Sequence, residues 1–438
     1  MQRMFMMRSR FPVFACGAIA AGLVATAAVA LRAGGPITLG VTGRANANLS
    51  LASEGSFVAA VWSAALENGT TDIYAAASAD GGATFSPPMR VNSTAGEARV
   101  NGEQAPRVAL AARPGGVPRI DVVWTATREK RDILLTARST DGGRSFATAS
   151  VVPGSDAGGR RGWASIDIDA NGTALVTWLD HRRMAERDSQ MAAMQHGDSP
   201  GAGRSTTANK PSMTMPELSQ LYVATLDGSA ARPVTDSVCF CCKTATAFGR
   251  AGEVYVAWRH VYSGNLRDMA VAWSGDGGRT FAPPVRVSED KWAINGCPED
   301  GPVLAVDRQA RLHIVWPTVV NEGGEPVKAL FHAVSRDGRV FSDRMRLPTK
   351  GQANHPRMAF AGDESLAVAW DESGDGSRRV ALARGVPRTD GGVGFERLAS
   401  SGSRTGTYPA VAHAPEGFVL AWTTGDPATS TIRIESVR

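Results

Sequence analysis

The chain has 438 residues, of which 43% are hydrophobic and 20% charged, an ordinary balance for a globular protein. Its 48 glycines and 24 prolines suit a chain full of turns. A formal net charge of +5, with no basic stripe, excludes a nucleic-acid partner held by charge. The length would fit two or three average domains, or one larger unit closed on itself.

The N-terminus reads as a targeting segment. Arg3, Arg8 and Arg10 precede an uncharged run from Phe11 to Val29 that is rich in Ala, Gly and Val. Ala28-Val29-Ala30 then supplies the small residues of a signal-peptidase site. Residues 1–30 are therefore expected to be a cleaved signal peptide that takes Cys16 with it, the alternative being an uncleaved anchor. No other long apolar run follows, so no membrane partner is expected after cleavage. The mature protein should be exported, periplasmic or secreted, where disulfides can form.

From here on the chain repeats. Seven strand-like segments end in Trp: Phe57–Trp62, Ile120–Trp124, Ala174–Trp178, Val254–Trp258, Leu312–Trp316, Leu366–Trp370 and Phe418–Trp422. Each unit opens with a small-residue strand, such as Pro106–Leu110, Pro302–Val306 or Pro356–Phe360, and a Gly turn leads to the Trp strand. A third strand follows, then a turn of the form Ser-x-Asp-Gly-Gly-x-x-Phe, then a fourth strand. Four short antiparallel strands in a repeated unit predict an all-β propeller. Seven blades are preferred, with six as the alternative. The last unit stops at its third strand, Ile432–Arg438, so Pro36–Val41 is expected to supply the fourth and close the ring.

The turn occurs at Ser78–Phe85, Ser139–Phe146 and Ser274–Phe281, in shorter form at Ser335–Phe341, and in traces at Asp227-Gly228 and Asp390-Gly391-Gly392. Its Asp can accept backbone N–H groups, its glycines take conformations costly for other residues, and its Phe plugs the blade edge. These turns resemble the Asp boxes (BNR repeats) of the sialidase, or neuraminidase, propeller superfamily. The resemblance covers nearly the whole of residues 31–438 and implies a fold shared by sialidases, other glycosidases and binding propellers. The large interruption, residues 183–218 in the third blade, is polar and rich in Gly, Ser and Thr, and reads as a flexible loop.

Strand direction alternates within a blade, so starts of first strands and ends of second strands share one mouth of the channel. That mouth gathers Arg44, Arg160, Arg161, Trp163, Glu299, Asp300, Arg259, Asp371, Glu372 and four cysteines. Cys239, Cys241 and Cys242 stand in Val238–Thr244, and Cys297 begins the next unit. Convergence of polar groups at a propeller mouth is the default binding site.

Three readings of the chemistry follow. Exported cysteines can pair, giving two structural disulfides in a propeller that docks a partner protein. Alternatively, Cys239, Cys241, Cys242 and Cys297, with His260 or His355, form a metal site. Thiolates and thioethers favour copper as Cu(I), and zinc is less expected because the spacing matches no zinc-ribbon pattern. The interrupting loop adds Met184, Met191, Met194, His196, Met213 and Met215 as auxiliary soft ligands. The resemblance implies the third reading, an exo-sialidase or related glycoside hydrolase. Tyr408 would be the nucleophile, with Arg44, Arg107 and Arg357 as a carboxylate clamp. The family's Arg-Ile-Pro segment is here Arg44-Ala45-Asn46, and the Glu that should assist Tyr408 is unassigned. Asp121 is expected on a solvated blade face, and His313 and His332 as packing residues.

Overall fold

A computed structural model describes residues 35–196, 216–228, 230–294, 296–374, 376–388, 392–400 and 403–438. The leader 1–30, Met213, Met215 and the trace at Asp390 lie outside the described residues. The fold is a seven-bladed β-propeller of antiparallel sheets. In the first blade the order from the channel outward is Ala45–Glu54, Phe57–Ala65, Thr71–Ser78 and Met89–Arg90. The sixth adds a short fifth strand, Arg404–Thr405, on its third strand.

Ring closure is as the sequence predicts. Ile37–Leu39 pairs antiparallel with the last strand, matching Ile37 with Ile434 and Leu39 with Ile432. The N-terminal segment thus becomes the outer strand of the seventh blade. The pairing covers the last strand on both sides and leaves only the three-residue Ile37–Leu39 as the outer edge of this blade.

The repeated Trp explains how each blade is held. All seven are buried. Six satisfy the indole N–H at the mouth end of the blade, for example Trp62 on Asn46 Oδ1 (3.0 Å), Trp178 on Asp180 (3.0 Å) and Trp370 on Glu372 (2.8 Å). Among the described residues Trp124 Nε1 has no hydrogen-bond partner. Seven apolar clusters bridge neighbouring blades, one at each interface. The core is therefore a ring of interfaces, and the strand-one residues facing the axis are left to line a channel.

The Asp-box turns lie at the other end of the blades, and their geometry shows why the motif repeats. In the second blade Asp141 Oδ1 accepts the N–H groups of Arg144 and Ser145, and its Oδ2 accepts the Ser145 hydroxyl at 2.5 Å. Ser139 Oγ takes the N–H of Gly143 at 2.9 Å. In the first and fourth blades the second glycine of the box abuts the preceding blade. A Cβ on Gly82 would come within 2.5 Å of Val419, and one on Gly278 within 2.6 Å of Leu175. Glycine is required there by close approach as well as by positive φ.

The Ser145 hydroxyl and the turn's N–H groups hold the Asp141 carboxyl down to about 2, against a burial effect in the opposite sense. A carboxyl depressed in the folded state stabilises above its ordinary value of 3.8 and loses that contribution as pH falls toward about 2. The urea midpoint should therefore fall between pH 4 and pH 2, and Asp141→Asn should flatten that fall. An identical pH profile for the variant would remove the turn carboxylate as a cause.

Two expectations are corrected. Asp121 is buried, not solvated, because Arg119 and Arg138 reach it from its own and the adjacent strand at 2.7 and 2.6 Å. The segment 183–218 does not begin as a loop, since Arg182–His196 is an α-helix. Its residues (Arg, Met, Ala, Glu, Gln) are strong helix formers, and Gly and Pro appear only from Gly197 onward. Asp180 Oδ1 accepts the N–H of Arg182 at the helix start, 2.9 Å away. His313 and His332 are buried, and their rings are bonded to each other at 3.0 Å.

Candidate functional site

The mouth is built from a repeated irregularity in the innermost strands. In four blades this strand bulges, and the residue two before the channel-facing position takes a left-handed backbone. These residues are Asn48 (φ 58°), Trp163 (53°), His355 (55°) and Tyr408 (50°). Such a conformation is costly for any residue but Gly and is held by its surroundings. In the fourth and fifth blades Lys243 and Gly301 occupy the corresponding place. Just inside, Ser50, Arg107, Ser165, Ala245, Val303, Arg357 and Ala410, one from each blade, line a channel of about 150 Å³.

The cysteine cluster lies at the fourth and fifth blades. Cys239, Cys241 and Cys242 are all buried, with one sulfur of each within 4.8 Å of the others. Cys242 donates to Cys239 Sγ at 3.4 Å, and Cys239 Sγ lies 3.9 Å from Cys241 Sγ. Cys241 is joined to Cys297 by a disulfide, with 6.1 Å between the α-carbons, and Cys239 and Cys242 remain thiols. The two-disulfide arrangement is therefore replaced by one disulfide beside a dithiol. Cys297 itself is exposed.

Two arginines supply the local charge. Arg267 Nη1 donates to Cys239 Sγ at 3.1 Å. Arg259 donates to the carbonyls of Arg267, Asp300 and Pro317 at 2.9 Å, 3.2 Å and 2.8 Å, with its guanidinium over the Trp292 ring. Both are buried, and among the described residues neither pairs with a carboxylate. The Cys242 S–H bond, reinforced by Arg259 and Arg267 against burial, brings the Cys239 thiol down to about 6. Burial and the neighbouring Cys239 push the Cys242 thiol up. One thiolate and one thiol at neutral pH is the pattern expected of a Cys-x-x-Cys pair beside cations.

The histidines named as ligands are placed elsewhere. His260 Nδ1 accepts the Trp258 indole N–H at 3.2 Å, and its ring meets Tyr262 edge-on at 4.6 Å. His355 belongs to an acidic network, with Nδ1 on Asp371 at 2.6 Å and Nε2 3.4 Å from Glu103. Met184 sits in the first turn of the helix and Met191 is exposed. Met194 and His196 fall in the helix, and their side chains lie outside the described residues.

Tyr408, Arg107 and Arg357 do share the channel mouth. Tyr408 stacks on His355 at 4.0 Å, and its ring rests on Gly102, where a Cβ would come within 2.3 Å of the phenol oxygen. Glu103 is the next residue. It is buried, and its Oε2 has no hydrogen-bond partner among the described residues. Burial and the nearby carboxylates of Glu103 and Asp371 push the Tyr408 hydroxyl up to about 12. Burial, reinforced by Arg357, pushes Arg107 down to about 9. Arg44 stands apart from this group, bonded to Asp72 and Ala64 O at 2.8 and 3.0 Å and lining a different recess with Thr38 and Leu66.

Lys243 connects the two halves of the mouth. It is buried, 3.4 Å from Asp300, whose Oδ2 accepts the His355 N–H at 3.0 Å. Burial, with Arg357 nearby, pushes Lys243 down to about 8. Burial alone would raise Asp300, but Lys243 and His355 outweigh it and hold the carboxyl near 2. Sequence reasoning missed Lys243, Glu103 and Arg267. Lys243 had a signal in following the cysteines directly. Arg267 had none, because it comes from a different strand connection 28 residues along the chain from Cys239.

No family model and no curated protein matches the sequence. Among solved structures, the chain is similar to the polysaccharide lyase Uly1, with TM-score 0.50 and 11% identity, covering 91% of this chain and 92% of that one. It is also similar to a protein of unknown function from Dyadobacter fermentans (TM-score 0.49, 15% identity, 92% and 98% covered). A third is the intramolecular trans-sialidase from Ruminococcus gnavus (TM-score 0.44, 11% identity, 89% and 94% covered). At 11% identity the likeness to Uly1 speaks to the fold alone, and a shared fold is no guide to activity. Among the described residues no helix is long and apolar enough to cross a membrane.

Proposed function

We propose that this propeller is an exported binding protein that holds a soft metal ion, Cu(I), between Cys239, Cys241 and Cys242 at the mouth of its channel. The observation that carries the reading is the approach of three buried cysteine sulfurs to within 4.8 Å of one another. Thiolate sulfur is the ligand type that selects Cu(I). Charge supports the choice. Three thiolates around a monovalent ion leave two negative charges, and Arg259 and Arg267 offset them. A divalent zinc ion would leave this pair of guanidiniums in excess. Ligands on a fixed blade need no folding to assemble, and binding must release the protons still on the thiols.

The test is titration of fully reduced mature protein with Cu(I) against a colorimetric chelator. One equivalent should bind, and Cys239→Ser or Cys242→Ser should weaken binding about 100-fold or more by removing one of three ligands. Retention of tight binding in both variants would overturn the site.

A second reading, a sialidase-type glycoside hydrolase, is favoured by one observation. The Tyr408 ring lies on Gly102 with the Glu103 carboxylate beside it, and a Tyr nucleophile needs such a group. Against it, Arg44 is committed to Asp72, which leaves two arginines where the family clamp uses three. No turnover of a fluorogenic sialoside is expected. Turnover abolished by Tyr408→Phe would establish the second reading in place of the first.

A further inference from the structure

The metal reading above uses Cys241 as a ligand, yet Cys241 is tied to Cys297. We propose that the Cys241–Cys297 disulfide is a redox lock on the metal site, opened by a dithiol reductant that attacks the exposed Cys297 sulfur. This inference rests on the metal reading and adds its regulation.

The four sulfurs differ in access. Cys239, Cys241 and Cys242 are buried, whereas Cys297 is exposed on the strand connection that enters the fifth blade. Cys297 is therefore the sulfur an incoming thiolate can reach. Attack there forms a mixed disulfide and breaks the Cys241–Cys297 bond, and the electron pair leaves on Cys241 as a thiolate. The second thiol of the reductant then attacks its own sulfur in the mixed disulfide. It releases Cys297 as a thiolate, and the reductant departs as a disulfide. Two electrons have passed to the protein, and the two protons of the dithiol go to solvent or to the freed sulfurs.

The released Cys241 needs no rearrangement to become a ligand. Its sulfur already stands 3.9 Å from Cys239, which is 3.4 Å from Cys242. The arginines that flank the cluster favour the leaving thiolate by the same charge that favours the filled site. Locked, Cys241 has no thiolate to offer, and the cluster is reduced to the dithiol Cys239 and Cys242. Cys297 itself is not among the three sulfurs that gather within 4.8 Å. Its part is to hold Cys241 in reserve.

The experiment uses the full mature chain in two states, isolated under air and then reduced by a phosphine that is removed anaerobically. Each is titrated with Cu(I) against a chelator, with iodoacetamide labelling and mass spectrometry to report which cysteines are free. The oxidised protein should label only after unfolding, at Cys239 and Cys242, and bind Cu(I) at least about 100-fold more weakly than the reduced protein. Limiting dithiothreitol should free Cys297 and Cys241 together and restore the tight site. Cys297→Ser, purified reduced, should bind like reduced wild type. Equally tight binding by the oxidised protein, with Cys241 and Cys297 still paired, would overturn the lock and cut the metal site back to Cys239 and Cys242. Absence of tight binding in both states and in Cys297→Ser would overturn the metal reading itself, and the lock with it.

Discussion

Removal of residues 35–42 is expected to open the ring. Ile37–Leu39 is the outer strand of the last blade, and without it Thr431–Val437 becomes an unpaired edge. Leu39 is also buried in the cluster between the last and first blades, against Leu49, Trp62 and Ile432. Val41 N–H bonds Asn46 Oδ1 at 2.8 Å, the same oxygen that takes the Trp62 indole. Losing the segment therefore removes ladder bonds, apolar burial and one side of a buried polar cluster together. Leu39→Ala alone should cost about 2–5 kcal/mol by leaving a cavity. The deletion should cost more and convert monomer into aggregate during gel filtration with light scattering. A monomeric deletion variant with an unchanged urea midpoint would show that closure is not what stabilises the ring.

Asp371→Ala is expected to cost about 3 kcal/mol, the scale for breaking a buried charge network from one side. Asp371 is fully buried directly after Trp370 in the sixth blade's second strand, Leu366–Gly374. Its Oδ2 accepts both His355 Nδ1 and the backbone N–H of Tyr408, at 2.6 and 2.9 Å, and its Oδ1 takes Arg378. One carboxylate thus fastens two residues held in left-handed conformations on adjacent blades. With it gone, the Tyr408 N–H is left without an acceptor and the bulges of the sixth and seventh blades lose their common anchor. Asp371→Asn keeps an acceptor and should cost visibly less. Equilibrium urea unfolding reads both values. A loss below about 1 kcal/mol in the Ala variant would mean that the network follows the mouth geometry without holding it.

The repeat was legible because each blade must bury the same faces. A Trp at the end of each second strand and an Asp-Gly-Gly turn after several third strands carry the period, blade number and ring closure with no knowledge of contacts. The cysteines were legible as a group for the same reason, since the repeat brings Cys239 and Cys297 to corresponding ends of adjacent blades. What the linear order could not contain was the pairing within that group or its surroundings. Arg267 reaches Cys239 from another connection, and Arg259 turns its guanidinium inward to three carbonyls. His260 and His355, close to the cysteines by repeat position, are claimed by Trp258 and by Asp371. Periodicity fixes which end of a strand a residue occupies, because the pleat and the blade are regular. Which partner a polar side chain takes depends on bulges and neighbouring blades within a few ångströms, and only the folded ring decides that.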